Sequence, residues 1–230
     1  MLTLLHGEHH LQSRTALTQL ISSAQKSGRQ IAHIEVKNLE PAALRVSMQT
    51  QSLFAEPRTL IIEELHSLMK SKRKEELIKT VVEFAGHEDV DIILWEKKQL
   101  TATELKQFPH AKVQAFLPTR AMFGWLNALS GQQHDAVKAR VLALQRDAVE
   151  SDGEQFCFAM LMRQVRMLME AKEGQGAAGQ NFKMVAQAKL FTWPQLFLMH
   201  KQLLQIDLMQ KTSGSPFTIS SQLELLVVAL

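Results

Sequence analysis

Short apolar runs of strand length punctuate the first half of the chain: Leu2 to Leu5, Ile31 to Val36, Thr59 to Ile62, Val90 to Trp95 and Val113 to Leu117. Between them, apolar residues recur at helical spacing over Leu11 to Ala24, Pro41 to Met48, Leu65 to Phe84 and, briefly, Thr101 to Gln107. Local start signals agree: Thr101 followed by Glu104 can form a capping box, and Pro41 suits a first helical turn. Strands alternating with helices predict a mostly parallel sheet covered on both faces.

After Pro118 the strand-length runs stop. Helical patterns take over at Arg120 to Leu129, Asp135 to Val149, Glu154 to Lys172, Lys183 to Leu190, Pro194 to Met209 and Gln222 to Leu230. The expected organisation is therefore an α/β domain over residues 1–117 and an all-helical domain over 118–230. The segment Glu154 to Lys172 is apolar around most of its circumference, through Phe156, Phe158, Leu161, Val165, Leu168 and several methionines. Such a helix needs neighbours on more than one side, as the centre of a bundle or at a subunit interface.

Composition narrows the class. With 230 residues, 46% hydrophobic and 21% charged, the chain is an ordinary globular protein and neither disordered nor fibrous. The single cysteine, Cys157, lies between Phe156 and Phe158 and reads as a buried, inert thiol. The net charge of +3 excludes a histone-like basic domain, though not local phosphate contacts. No apolar stretch approaches the roughly 18 residues that span a bilayer, and no signal peptide is recognisable, so no membrane contact and a cytoplasmic location are expected.

Chemistry-bearing motifs fail on context. Gly174, Gly176 and Gly179 satisfy the spacing of a dinucleotide fingerprint, but they follow a long helix in the all-helical half. Gly7 to Arg14, after the first strand, stands where a phosphate loop would, yet it has neither the second glycine nor the lysine, and Glu8 would repel phosphate. Glu63 and Glu64 end the third strand as a magnesium-binding pair would, with no phosphate cradle to serve. His6, Glu8, His9 and His10 lack metal-ligand spacing. No catalytic residue, metal or cofactor is expected. The most concentrated basic run, Lys70, Lys72, Arg73 and Lys74, reads either as a solvated helix start or as a nucleic-acid contact.

The link from Gln49 to Arg58 places Leu53 and Phe54 among polar residues, and these need either the core or a partner. Here the sequence resembles the delta subunit of the bacterial DNA polymerase III clamp loader. That family carries a Ser-Leu-Phe element between the second helix and third strand of a degenerate AAA+ domain. Leu4, Gly7 and Glu8 resemble its opening strand, and Gln51 to Arg58 followed by Thr59 to Ile62 resemble the element and the strand after it. Met122 to Leu129, then Met160, Leu161, Arg163, Gln164, Arg166 and Lys172, resemble its collar domain; Leu203, Leu204, Asp207, Lys211 and Leu223 to Leu226 resemble its last helices.

The resemblance implies a degenerate AAA+/P-loop-like parallel-sheet domain without ATPase activity, followed by a helical collar. It implies that Leu53 and Phe54 enter a pocket of the beta sliding clamp, with Gln51 and Ser52 in support. Other loader subunits (gamma or tau, and delta prime) would be reached through the collar, and primed DNA within the complex. One departure stands out: the family's small lid domain is missing, since Leu117 passes almost straight into collar-like sequence. Two competing readings are an ATPase or nucleotide sensor with an unusual loop, and a stand-alone noncatalytic interaction or DNA-binding module using Lys70, Lys72, Arg73 and Lys74.

Overall fold

The structure is a computed structural model that describes residues 1–49, 57–87, 89–131, 134–176, 179, 181–212 and 214–230. The chain divides into two compact units, Met1–Leu117 and Pro118–Leu230.

The first unit is built on strands β1 (Leu2–His6), β2 (Gln30–Ile34), β3 (Arg58–Glu63), β4 (Val90–Glu96) and β5 (Lys112–Ala115). They form one sheet in the order β2-β3-β4-β1-β5, and every pairing is parallel. The central strand β1 is buried at every position, as a continuous apolar run between two neighbours must be. Helices α1 (His10–Lys26), α2 (Pro41–Gln49), α3 (Lys72–Phe84) and the short α4 (Ala102–Leu105) connect the strands.

Alternation along the strands sorts the core into two layers. Leu4, Leu60, Ile62, Ile92 and Leu94 pack with Leu44 and Met48 of α2 and with Leu77, Val81 and Phe84 of α3. Leu5, Ile61, Ile93 and Trp95 face the other way, onto Leu17, Leu20 and Ile21 of α1. Helices thus cover both faces, as the sequence pattern predicts.

One expected helix is broken. The pattern from Leu65 to Phe84 contains a 3-10 turn, Leu65–Ser67, and then α3, which starts only at Lys72. Glu64 takes a left-handed conformation at φ 57°, which turns the chain sharply out of β3. The Ser71 hydroxyl then accepts the Lys74 amide and starts the helix afresh. Leu65 is buried, whereas Met69 is 88% exposed, so the apparent periodicity joined a core residue to a surface turn.

The second unit contains α5 (Arg120–Ala128), α6 (Asp135–Asp152), α7 (Glu154–Glu173), α8 (Phe182–Ala188), α9 (Trp193–Lys211) and α10 (Ile219–Val228). Helix α7 packs against α5, α6, α8, α9 and α10, which accounts for its nearly all-round apolar surface. Its end is set by Gly174, left-handed at φ 73°, so the first glycine of the fingerprint-like spacing is a helix cap. A buried polar relay fixes how the helices meet: Gln164 donates to the Gln187 side chain at 2.6 Å, and Gln187 donates to the carbonyls of Leu126 and Leu129 at 2.7 and 3.2 Å. These are two carbonyls that the end of α5 leaves without helical partners. No helix among the described residues is long and apolar enough to cross a membrane.

Candidate functional site

Gln51, Ser52, Leu53 and Phe54 lie outside the described residues. Both ends of the segment that carries them are described, and both are held firmly. On one side, α2 buries Leu44 and Met48 against the sheet. On the other, Arg58 opens β3, with its amide donating to the Asp89 carbonyl at 2.8 Å while the Pro57 carbonyl accepts from Gln30 at 3.0 Å.

The Arg58 side chain joins the two ends. Its guanidinium donates to the carbonyls of Ser47 and Met48 at 3.3 and 3.1 Å, in the last turn of α2. Those carbonyls lie in the last described turn of α2, where the negative end of the helix dipole favours a cation. Arg29 braces the same corner, donating to the Arg58 carbonyl at 2.9 Å and to the Thr59 hydroxyl at 3.2 Å, and pairing with Asp91 at 3.2 Å. Sequence reasoning reached the apolar pair of the link but not this base, because the carbonyls that Arg58 serves meet it only in three dimensions.

The basic run divides into two kinds of residue. Arg73 donates to the carbonyls of Leu39, Val36 and Lys37 at 2.8, 3.0 and 2.9 Å. Lys74 donates to the carbonyls of His66 and Leu68 at 2.6 and 3.1 Å. Both are half-buried braces, whereas Lys70 and Lys72 project into solvent beside Met69. Of the four, Lys70 and Lys72 are thus the exposed ones.

The loop after β1 uses its amides internally. Gly7 donates to the Lys98 carbonyl at 3.3 Å, His9 to the Phe116 carbonyl at 3.0 Å, and Ser13 to the His9 carbonyl at 3.1 Å. Gln12 donates to the His9 ring at 3.4 Å. Gly7, at φ 130°, sits so close to Phe116 that a β-carbon would run into its carbonyl. A glycine is thus required here for close strand packing, a reason distinct from cradling phosphate.

The histidines diverge. His6 accepts the Leu100 amide at 3.2 Å inside the core, and burial lowers its pKa, with nearby Glu96 partly opposing. His10 faces outward, its pKa lowered by partial burial and then by the charge of Lys97. Among the described residues, no group of three or more His, Cys, Asp or Glu side chains is placed to hold a metal ion. Glu63 is engaged by Arg14 at 2.7 Å. Cys157 is buried, and desolvation together with the negative charge of Asp152 pushes its pKa up to about 12, so the thiol is inert at neutral pH.

In the second unit, α9 carries an exposed apolar stripe. Phe197, Leu204 and Leu208 recur at one-face spacing, and Leu225 of α10 is exposed beside a cleft of about 170 Å³ that Ile206, Met209, Leu225 and Leu226 line.

No protein-family model matches the chain, and no curated protein matches it. Among solved structures it is similar to the Bacillus subtilis DNA clamp loader delta protein (YqeN), with a TM-score of 0.48 and 14% sequence identity over 99% of this chain and 94% of that one.

Proposed function

We propose that this chain is a delta-like clamp-loader subunit, a noncatalytic accessory of a DNA polymerase III holoenzyme that binds and opens the beta sliding clamp for loading on primed DNA. Leu53 and Phe54 are the wedge, and Gln51 and Ser52 support it through polar contacts. The observation that carries this reading is the placement of an apolar pair in a polar link whose two ends Arg58 ties together, within a chain whose other matches to the delta family run in the family's order.

Fully burying a Leu and a Phe contributes roughly 1.5–3 kcal/mol each. Loss of both side chains should therefore weaken clamp binding by about 10²- to 10⁴-fold. The wedge acts by preferring one state of the ring: it repacks an interface helix of the clamp and shifts the closed–open equilibrium toward open. The amides after β1 already have internal partners, which fits a subunit whose loader neighbours hydrolyse ATP. The all-helical unit serves as the collar, and the stripe of Phe197, Leu204 and Leu208 meets the gamma or tau and delta prime subunits.

The test is calorimetric titration with the sliding clamp of the same organism, without nucleotide, beside the Leu53→Ala, Phe54→Ala variant. Tight binding that the variant loses supports the reading; absent binding by the folded wild-type protein refutes it. A stand-alone DNA-binding module is the second reading, favoured by the exposure of Lys70 and Lys72 on a braced turn. It requires DNA binding without clamp, falling steeply as salt rises.

A further inference from the structure

In open parallel sheets, ligands bind outside the carboxyl ends of the strands, where neighbouring strands send their connections to opposite faces. That point lies here between β1 and β4. β1 leads into α1 on one face, while β4 leads toward α4, whose Leu105 packs with Leu100 and Phe108 on the other.

The chain fills this crevice with its own groups. The Gly7 amide bonds to the Lys98 carbonyl across the two strand ends. Trp95, the penultimate residue of β4, is 2% exposed and donates its indole N–H to the Ser13 hydroxyl of α1 at 3.1 Å. The Arg14 guanidinium lies 3.7 Å from the centroid of the Trp95 ring. The same guanidinium reaches Glu63, the last residue of β3, at 2.7 Å. One side chain of α1 thus spans β4 and closes on β3.

We propose that Arg14 is a built-in latch: stacked on Trp95 and paired with Glu63, it does the bridging that a bound ligand does at this crevice in ligand-holding sheets. The α/β unit is therefore closed at its carboxyl edge without any ligand. Each contact alone is modest, since the guanidinium that covers the buried ring is itself about half exposed and a surface ion pair is a weak interaction. Their value lies in acting together on one planar group, which lysine cannot reproduce. The latch does not depend on the clamp-loading reading.

Hydrogen exchange of the full chain tests it. In Arg14→Ala, amides over residues 7–14 and at the end of β3 should exchange about three- to tenfold faster, the change expected from losing one such stacked and paired cation. Arg14→Lys should resemble Arg14→Ala more than the wild type, because charge without a planar stack does not close the latch. Exchange in the all-helical unit serves as the control and should stay unchanged. Unaltered exchange in Arg14→Ala, or full protection in Arg14→Lys, would overturn the proposal. Slower exchange over residues 7–14 of the wild type on adding magnesium and ATP would overturn it too, by showing that the crevice accepts a ligand.

Discussion

Arg58→Met tests whether the base of the 50–56 segment matters to binding. Methionine keeps most of the aliphatic stem and removes the guanidinium, so two hydrogen bonds to the Ser47 and Met48 carbonyls disappear while packing changes little. A charged donor's bond contributes about 1.5–3 kcal/mol at best. At a half-buried site, with one bond as long as 3.3 Å, about 1–2 kcal/mol for the pair and the helix-end charge together is the reasonable total. For a unit of about this size that corresponds to a melting temperature lower by roughly 4–8 °C, read from the transition of the α/β unit. The second readout is clamp affinity. With the two ends no longer tied, more of the segment's freedom is lost on binding, and Kd should rise about three- to tenfold. An unchanged Kd in a variant that shows the expected stability loss would refute the idea that Arg58 organises the binding segment, and leave it as a brace of the fold alone.

Gly7→Ala should cost about 3 kcal/mol or more, because a β-carbon at φ 130° is strained and also strikes the Phe116 carbonyl; urea denaturation should show the loss in the α/β transition, and a cost under about 1 kcal/mol would contradict it. Stability should fall as pH drops below the ordinary histidine value of 6.5, because buried His6 resists a proton that the unfolded chain accepts. Its contribution is complete above 6.5 and is lost as pH falls toward the lower folded value, so urea midpoints of His6→Gln across about pH 5 to 7 should slope less than the wild type. Cys157, with its pKa pushed up to about 12, should resist a thiol-specific disulfide reagent at pH 8 until the unit is unfolded; prompt labelling of the native protein would show that the thiol is accessible.

What the sequence disclosed follows from which forces are local. Leu2 to Leu5 and Val90 to Trp95 are buried on both faces, so their apolar runs survive as strands with little change of boundary. β5 is an edge strand, exposed at most positions, and it ends at Ala115, short of the expected Leu117. The central place of α7 was legible from its circumference, while the break between Leu65 and Lys72 was not, because a left-handed Glu64 and a serine cap leave the apolar spacing intact. Leu53 and Phe54 stood out by their chemistry alone. Arg58, Arg73 and Arg14 were opaque for a common reason: each serves groups that are remote in sequence, as Arg73 serves Val36 across 37 residues.

Those three arginines also bear on how a wedge could do work. A clamp interface yields only if the element pressed into it is stiffer than the interface, since strain goes to the softer side. Arg58 ties α2 to the start of β3, Arg73 ties α3 to the chain before α2, and Arg14 ties α1 to the end of β3. Strand β3, which follows residues 50–56 directly, is therefore held at both ends by guanidinium groups and within the sheet by β2 and β4. These cations work inside the unit, on carbonyls and on a carboxylate, so the net charge of +3 says little about the field the surface presents. The latch proposed for Arg14 extends the same logic to the first loop, whose amides are turned inward: bridging that a phosphate could supply from outside would be supplied by side chains the fold already contains.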